Sequence, residues 1–87
     1  MPEVHRLGDA NDDGGDIADT VQNTVFANNL PIAVNGSSVN GHGLDFPTVT
    51  ANGSATVFIN GIPVNRSGDE DECGHVRDQG SPDVFVE

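Results

Sequence analysis

Three histidines and one cysteine, His5, His42, Cys73 and His75, are the side chains of this sequence whose chemistry suits a soft divalent cation. Tetrahedral zinc takes four such donors, and a closed structural site fills all four positions with protein. Cys73-Gly74-His75 sets two donors two residues apart, with Gly74 relaxing the backbone between them. A catalytic zinc keeps one position open for water, so a full shell of three His and one Cys argues against a hydrolase. Glu72, next to Cys73, acts as a base only if a ligand is missing. The plain alternative is three surface imidazoles and a buried thiol. A rival cation site is Asp9-Ala10-Asn11-Asp12-Asp13-Gly14, which fits the opening of a calcium loop. Its twelfth position is Thr20 where a bidentate Glu belongs, so these residues read as a turn.

The need for a staple favours the shared zinc. The 87 residues make one domain, 1–87, and a chain this short buries too little surface to be robust by packing alone. There is no Trp or Tyr, and Leu, Ile, Val and Phe make up about a quarter of the chain, enough to fold with little core to spare. A single cysteine excludes an intramolecular disulfide. A metal or a partner is left to supply the difference.

Net charge is −11, from 14 acids against three arginines and no lysine. Sequence-independent nucleic-acid binding and adhesion to anionic lipid both need a basic surface, and are excluded. The acids gather in residues 3–19 and 69–78, as solvated loops would. No apolar run approaches the ~18 residues of a membrane span. No signal peptide precedes the acidic start, so synthesis in a cytoplasm without a secretory leader is expected.

The elements that must position the donors are strands. Eleven Gly and five Pro interrupt the chain, and no window sustains helical periodicity. Instead, Thr24-Val25-Phe26-Ala27 runs into Asn28-Asn29, and Thr56-Val57-Phe58-Ile59 runs into Asn60-Gly61. Asn-Gly is the strongest short hairpin signal, because a type I′ turn needs positive φ at both central residues. Residues 24–36 and 56–68 align at an offset of 32, with six of thirteen positions identical. A third copy begins at Gly80-Ser-Pro-Asp-Val-Phe-Val86, matching Gly53–Ile59. Its second strand lies at the other terminus, where Val4-His-Arg-Leu-Gly-Asp9 resembles Val64-Asn-Arg-Ser-Gly-Asp69. The pattern predicts an all-β cone of three short β-hairpins with pseudo-threefold symmetry, one hairpin split across the termini. The loops 9–20, 36–52 and 69–79 should gather at the end opposite the hairpin turns, bringing His5, His42, Cys73 and His75 together near the apex.

The repeated pattern, clearest in Thr56-Val-Phe-Ile-Asn-Gly-Ile-Pro-Val-Asn-Arg-Ser-Gly-Asp69, resembles the PAAR-repeat proteins over essentially the whole chain. Asp71-Glu72-Cys73-Gly74-His75 and Gly80-Ser81-Pro82 add to the likeness, whereas 37–50 is the weakest stretch. Of Pro-Ala-Ala-Arg itself, Pro63-Val64-Asn65-Arg66 keeps the Pro and Arg, and Pro31-Ile32-Ala33-Val34 keeps the Pro and one Ala. Many relatives carry His before the first Gly pair; here Asp13 precedes Gly14-Gly15, and His5 is taken as that ligand instead.

The resemblance implies a non-enzymatic, metal-clamped cone, held by zinc through three His and one Cys. It would sit as a single copy on the blunt end of a trimeric β-helical spike, in a contractile phage tail or a type VI secretion apparatus. Such a tip is expected to be monomeric alone, to bind no nucleic acid, and to touch the target-cell envelope transiently as it pierces it. A bare tip of this length leans towards the virion tail. The competing reading is a metal-dependent cell-surface adhesion module.

Overall fold

The computed structural model describes residues 1–41 and 46–87. Seven short strands and no helix are found among them: β1 (Ile17–Asp19), β2 (Phe26–Ala27), β3 (Leu30–Pro31), β4 (Ser38–Val39), β5 (Thr48–Val49), β6 (Phe58–Ile59) and β7 (Ile62–Pro63). The all-β expectation holds, and both tight hairpins fall where the turn signals put them. β2 pairs with β3 through Ala27↔Leu30, and β6 with β7 through Ile59↔Ile62. The linking residues all have positive φ: Asn28 +55°, Asn29 +65°, Asn60 +53° and Gly61 +78°. That is the primed-turn geometry matching the twist of the flanking strands, and Asn and Gly tolerate it best. Alternation then turns Ala27 and Ile59 inward while Phe26 and Phe58 stay half-exposed.

Each hairpin continues into an inner strand, and the inner strands meet one another. Arg6 bridges Ile32, Val34 bridges Val64, and Arg66 bridges Val4. At the middle of this contact the backbone bonds close a ring: His5 N–H donates to Asn65 O (3.0 Å), Asn65 N–H to Ala33 O (2.9 Å) and Ala33 N–H to His5 O (2.9 Å). The two ends of the chain pair as the split repeat predicts, with Glu3 bridging Phe85 and Val4 N–H donating to Val84 O. The approach is close enough that only glycine fits beside it. A Cβ on Gly80 would lie 2.7 Å from Glu3 Cβ, and one on Gly53 would lie 2.6 Å from Val64 O.

Beyond the ring each inner strand turns sharply. In Arg6-Leu-Gly-Asp9 the Asp9 carboxylate accepts from Arg6 N (2.8 Å), Nε (2.9 Å) and Nη2 (3.0 Å). Asp69 does the same for Arg66, at 2.7, 3.1 and 2.8 Å. In the middle unit Ser37 Oγ replaces the carboxylate and accepts from Val34 N at 3.1 Å. The loops that follow form three further hairpins, closed by Ala10↔Asp16, β4 with β5, and Glu70↔Val76. They pair in a cycle: Ile17 with Val39, Thr50 with Asp71, and Arg77 with Asn11.

The apolar core is correspondingly small. Val4, Ala27, Ile32, Val34, Ile59 and Val64 form one cluster on the side of the tight turns, and Ile17, Ala33 and Val39 form a second beneath the loop hairpins. Polar caps order the segments leading into the outer strands. Ser54 Oγ accepts from Thr56 N and Val57 N, Ser81 Oγ from Asp83 N and Val84 N, and Gln22 Oε1 from Thr24 N and Val25 N.

One segment is strained. Val21 has φ +70° and is largely exposed, although a β-branched residue is disfavoured in the left-handed region. Val21→Asn keeps the backbone path with a residue that tolerates it. It should stabilise the fold by roughly 0.5–1 kcal/mol, read as a higher urea midpoint at unchanged slope; an equal or lower midpoint would show that the strain is not felt.

Candidate functional site

The loop hairpins bring part of the expected donor set together. Asn11 N–H donates to Gly15 O (2.8 Å) and Asp71 N–H to His75 O (2.9 Å), while Gly14 (φ +88°) and Gly74 (φ +93°) take the left-handed position in each turn. Asp13 and Cys73 therefore occupy the same place in two matching turns. The turns lie side by side, because Asp12 N–H donates to Val76 O at 2.8 Å. His75 faces across this seam, with Nδ1 2.9 Å from Asp12 Oδ1 and Nε2 3.6 Å from Asp13 Oδ2. Cys73 is half-buried on the same turn as His75. His42 falls between β4 and β5 in the sequence and lies outside the described residues.

His5 stands elsewhere. It is fully buried on the axial ring, with both ring nitrogens engaged. Arg77 Nη1 lies 2.9 Å from Nε2, and a guanidinium can only donate, so Nε2 is the acceptor. Nδ1 then carries the proton and donates to Gln79 O at 2.6 Å. Asn65, the matching residue of the next inner strand, places its Nδ2 on Asn52 O in the same way. His5 is thus an axial core residue beside a fixed cation, surroundings that oppose a second cation at Nε2. Among the described residues no three His, Cys, Asp or Glu side chains stand close enough to share one ion.

The calcium reading dissolves into turn chemistry. Asp9 is taken by Arg6, and Asn11 Oδ1 accepts from Asp13 N and Gly15 N at 2.9 and 2.8 Å. Asn11 Nδ2 turns inward to Asp71 Oδ2 (2.9 Å), which also holds Arg77 Nη2 at 2.7 Å. This buried cluster of Arg77, Asp71, Asn11 and His5 is the feature sequence reasoning missed. Nothing local marks Arg77, which follows an acidic run as a solvated arginine would. Asp13 was within reach, because the match of 4–9 with 64–69 carries forward to set Asp13 against Cys73.

The opposite end bears three aromatic rings beside the polar tight turns. Phe26, Phe58 and Phe85, at corresponding places in the three outer strands, are 52, 51 and 47% exposed. The three rings are left nearly equally open, while Phe46, outside this set, is 87% exposed.

The described residues thus form a small all-β fold, with Asp13, Cys73 and His75 on its loop hairpins and three half-exposed Phe on its outer strands. The chain belongs to the PAAR motif family, whose model matches residues 7–77. That motif is associated with the spike tips of contractile injection systems, and its members sit on spike proteins at the tip of phage tails or type VI secretion machinery. No match is found among curated proteins.

The buried imidazole makes stability pH-dependent. Burial chiefly, and then Arg77, push His5 down from 6.5 to about 4, with the hydrogen bond to the Gln79 carbonyl and then the Asp9 carboxylate opposing in part. Unfolded chains therefore take up a proton on His5 between those values while the native state does not. Stability from this residue is complete above pH 6.5 and is lost progressively as pH falls towards 4, by roughly 3 kcal/mol. Urea midpoints measured from pH 7.5 to 4.5 should fall steeply, and the fall should shrink in His5→Gln; an undiminished slope in that variant would place the titration elsewhere.

Proposed function

We propose that this chain is the tip of a trimeric β-helical spike in a contractile phage tail or type VI secretion apparatus, one copy capping each trimer. The observation that carries the reading is the cyclic bonding of three inner strands through His5, Ala33 and Asn65, with one half-exposed Phe per unit. Three like units in one chain let a monomer match a threefold partner, which an unrelated monomeric surface cannot do. The Phe26, Phe58 and Phe85 end meets the spike. The loop hairpins then point forward, and a compact, cyclically paired tip suits a part driven through an envelope. The role is structural, with no reaction to catalyse.

A zinc ion belongs to this reading. His42, Cys73 and His75 remain its donors, and Asp13 replaces His5 as the fourth, since it shares the place of Cys73 and lies beside His75. Asp13, Cys73 and His75 do not converge as they stand, so binding would have to draw their side chains together. Thiolate, imidazole and carboxylate on neighbouring turns are ligands zinc accepts. Elemental analysis of protein purified without added metal should give one zinc per chain. Cys73→Ser and Asp13→Ala should each lose it, and His5→Gln should keep it. Folded protein that carries no zinc as purified, before any chelator is added, sinks the zinc, and loss in His5→Gln alone restores His5 to the set.

Docking is tested at Ile62, half-buried beside the Asn60-Gly61 turn. A charge there should abolish binding to the cognate trimeric spike while leaving the monomer folded. Native mass measurement should find one tip per trimer for the wild type and none for Ile62→Asp. Three tips per trimer, or normal binding by the variant, would favour the adhesion reading instead.

A further inference from the structure

Among the described residues the largest fully buried side chain is not apolar but Arg77, 1% exposed in a layer where the corresponding residues of the other loop hairpins are Ile17 and Thr50. The correspondence rests on backbone bonds. Gly8 N–H donates to Ile17 O, Gly36 N–H to Thr50 O and Gly68 N–H to Arg77 O. At this one of three places the layer holds a permanent cation instead of a methyl-bearing side chain.

The guanidinium gathers acceptors from three separate segments. Nη1 lies 2.9 Å from His5 Nε2 and 3.5 Å from Asp9 O, and Nη2 lies 2.8 Å from Gly15 O and 2.7 Å from Asp71 Oδ2. His5 belongs to the N-terminal inner strand, Asp9 and Gly15 to the first loop hairpin, and Asp71 to the third. Asp71 Oδ2 is steadied in turn by Asn11 Nδ2, from the first hairpin again. The pairing with Asp71 is end-on. Arg77 Nε and Asp71 Oδ1 find no partner among the described residues, so the fork that would give a two-bond ion pair is sacrificed. What that geometry gains is reach: one side chain coordinates an imidazole nitrogen, two carbonyls and a carboxylate, a donor set resembling that of a bound ion.

We propose that Arg77 is a built-in cation that holds the first and third loop hairpins to the N-terminal strand, so that the order of the tip does not depend on a bound metal ion. It is a positioning residue, acting on the turns that carry Asp13, Cys73 and His75. A lysine cannot substitute, because a point charge on a flexible stem cannot span the same acceptors. The proposal stands apart from the spike-tip reading, and a protein that binds no spike could still obey it.

The test uses metal-stripped protein, followed by thermal unfolding and amide hydrogen exchange. Wild type treated with chelator should keep its midpoint within about 5 °C, with the amides of Asn11, Gly14 and Ile17 still protected. Arg77→Met should lose more than about 15 °C, or fail to fold, because it strands the buried Asp71 carboxylate. The decisive variant is Asp71→Asn with Arg77→Ile, which copies the Asn11 and Ile17 pair of the first hairpin and leaves no charge stranded. If Arg77 holds the hairpins, this double variant still loses protection at Asn11, Gly14 and Ile17 and melts well below wild type, while Arg77→Lys fails to rescue. Either of two results overturns the proposal: chelation alone unfolds the wild type, or the double variant matches wild type in midpoint and protection.

Discussion

The fold is organised around three backbone hydrogen bonds that run in a circle, from His5 to Asn65, from Asn65 to Ala33, and from Ala33 back to His5. A ring of this kind brings three strands to one axis and leaves no room there for a conventional core. The three residues that form it are fully buried, and only one of them is apolar. Their side chains must either be small, as in Ala33, or bring a polar atom that finds a partner, as His5 and Asn65 do on the carbonyls of Gln79 and Asn52. The packing of the rest follows. Apolar residues are pushed into two small clusters above and below the ring, and the chain relies on polar bonds to join them.

That dependence explains an otherwise odd distribution of charge. A protein at −11 places one of its three arginines in the centre and uses the other two to lock sharp turns onto Asp9 and Asp69. Both pairs are largely shielded from solvent, and their carboxylates also accept from the backbone N–H groups of Arg6 and Arg66 within the tight turns. Apart from Glu3, Asp83 and Glu87, the remaining described acids stand on or beside the loop hairpins, where repulsion between them works against close approach of the turns. Arg77 offsets that repulsion from below. A zinc ion at Asp13, His42, Cys73 and His75 would offset it from above, by the same physics.

The two ends of the molecule are chemically opposed. The loop-hairpin end is acidic and bears the soft donors. The other bears Phe26, Phe58 and Phe85, rings that face outward because the inward places of the same strands go to Ala27 and Ile59 in a core too narrow for aromatics. Members of the PAAR motif family, to which this chain belongs, sit on spike proteins, and the proposed docking makes use of this polarity.

Much of this was legible in the residues. The turns at Asn28-Asn29 and Asn60-Gly61, the absence of helix and the pairing of the chain ends all follow from local chemistry and from a repeat that can be aligned by eye. These are short-range facts, since a turn needs only residues able to hold positive φ, and a repeat needs only its own copy. That Cys73 and His75 share one turn was legible for the same reason. What a residue does at the axis was not. His5 reads as a ligand because an imidazole in a thin-cored chain invites a metal, yet tertiary structure places it between Gln79 O and the guanidinium of Arg77, seventy-two residues away. Arg77 itself reads as surface, since an isolated arginine is almost never buried without partners. Those partners, Asp71, Gly15 and His5, converge only once three separate segments are bonded in a cycle. Spacing along the chain carries turn and strand, but the partner of a buried polar atom is decided by which distant segment arrives beside it.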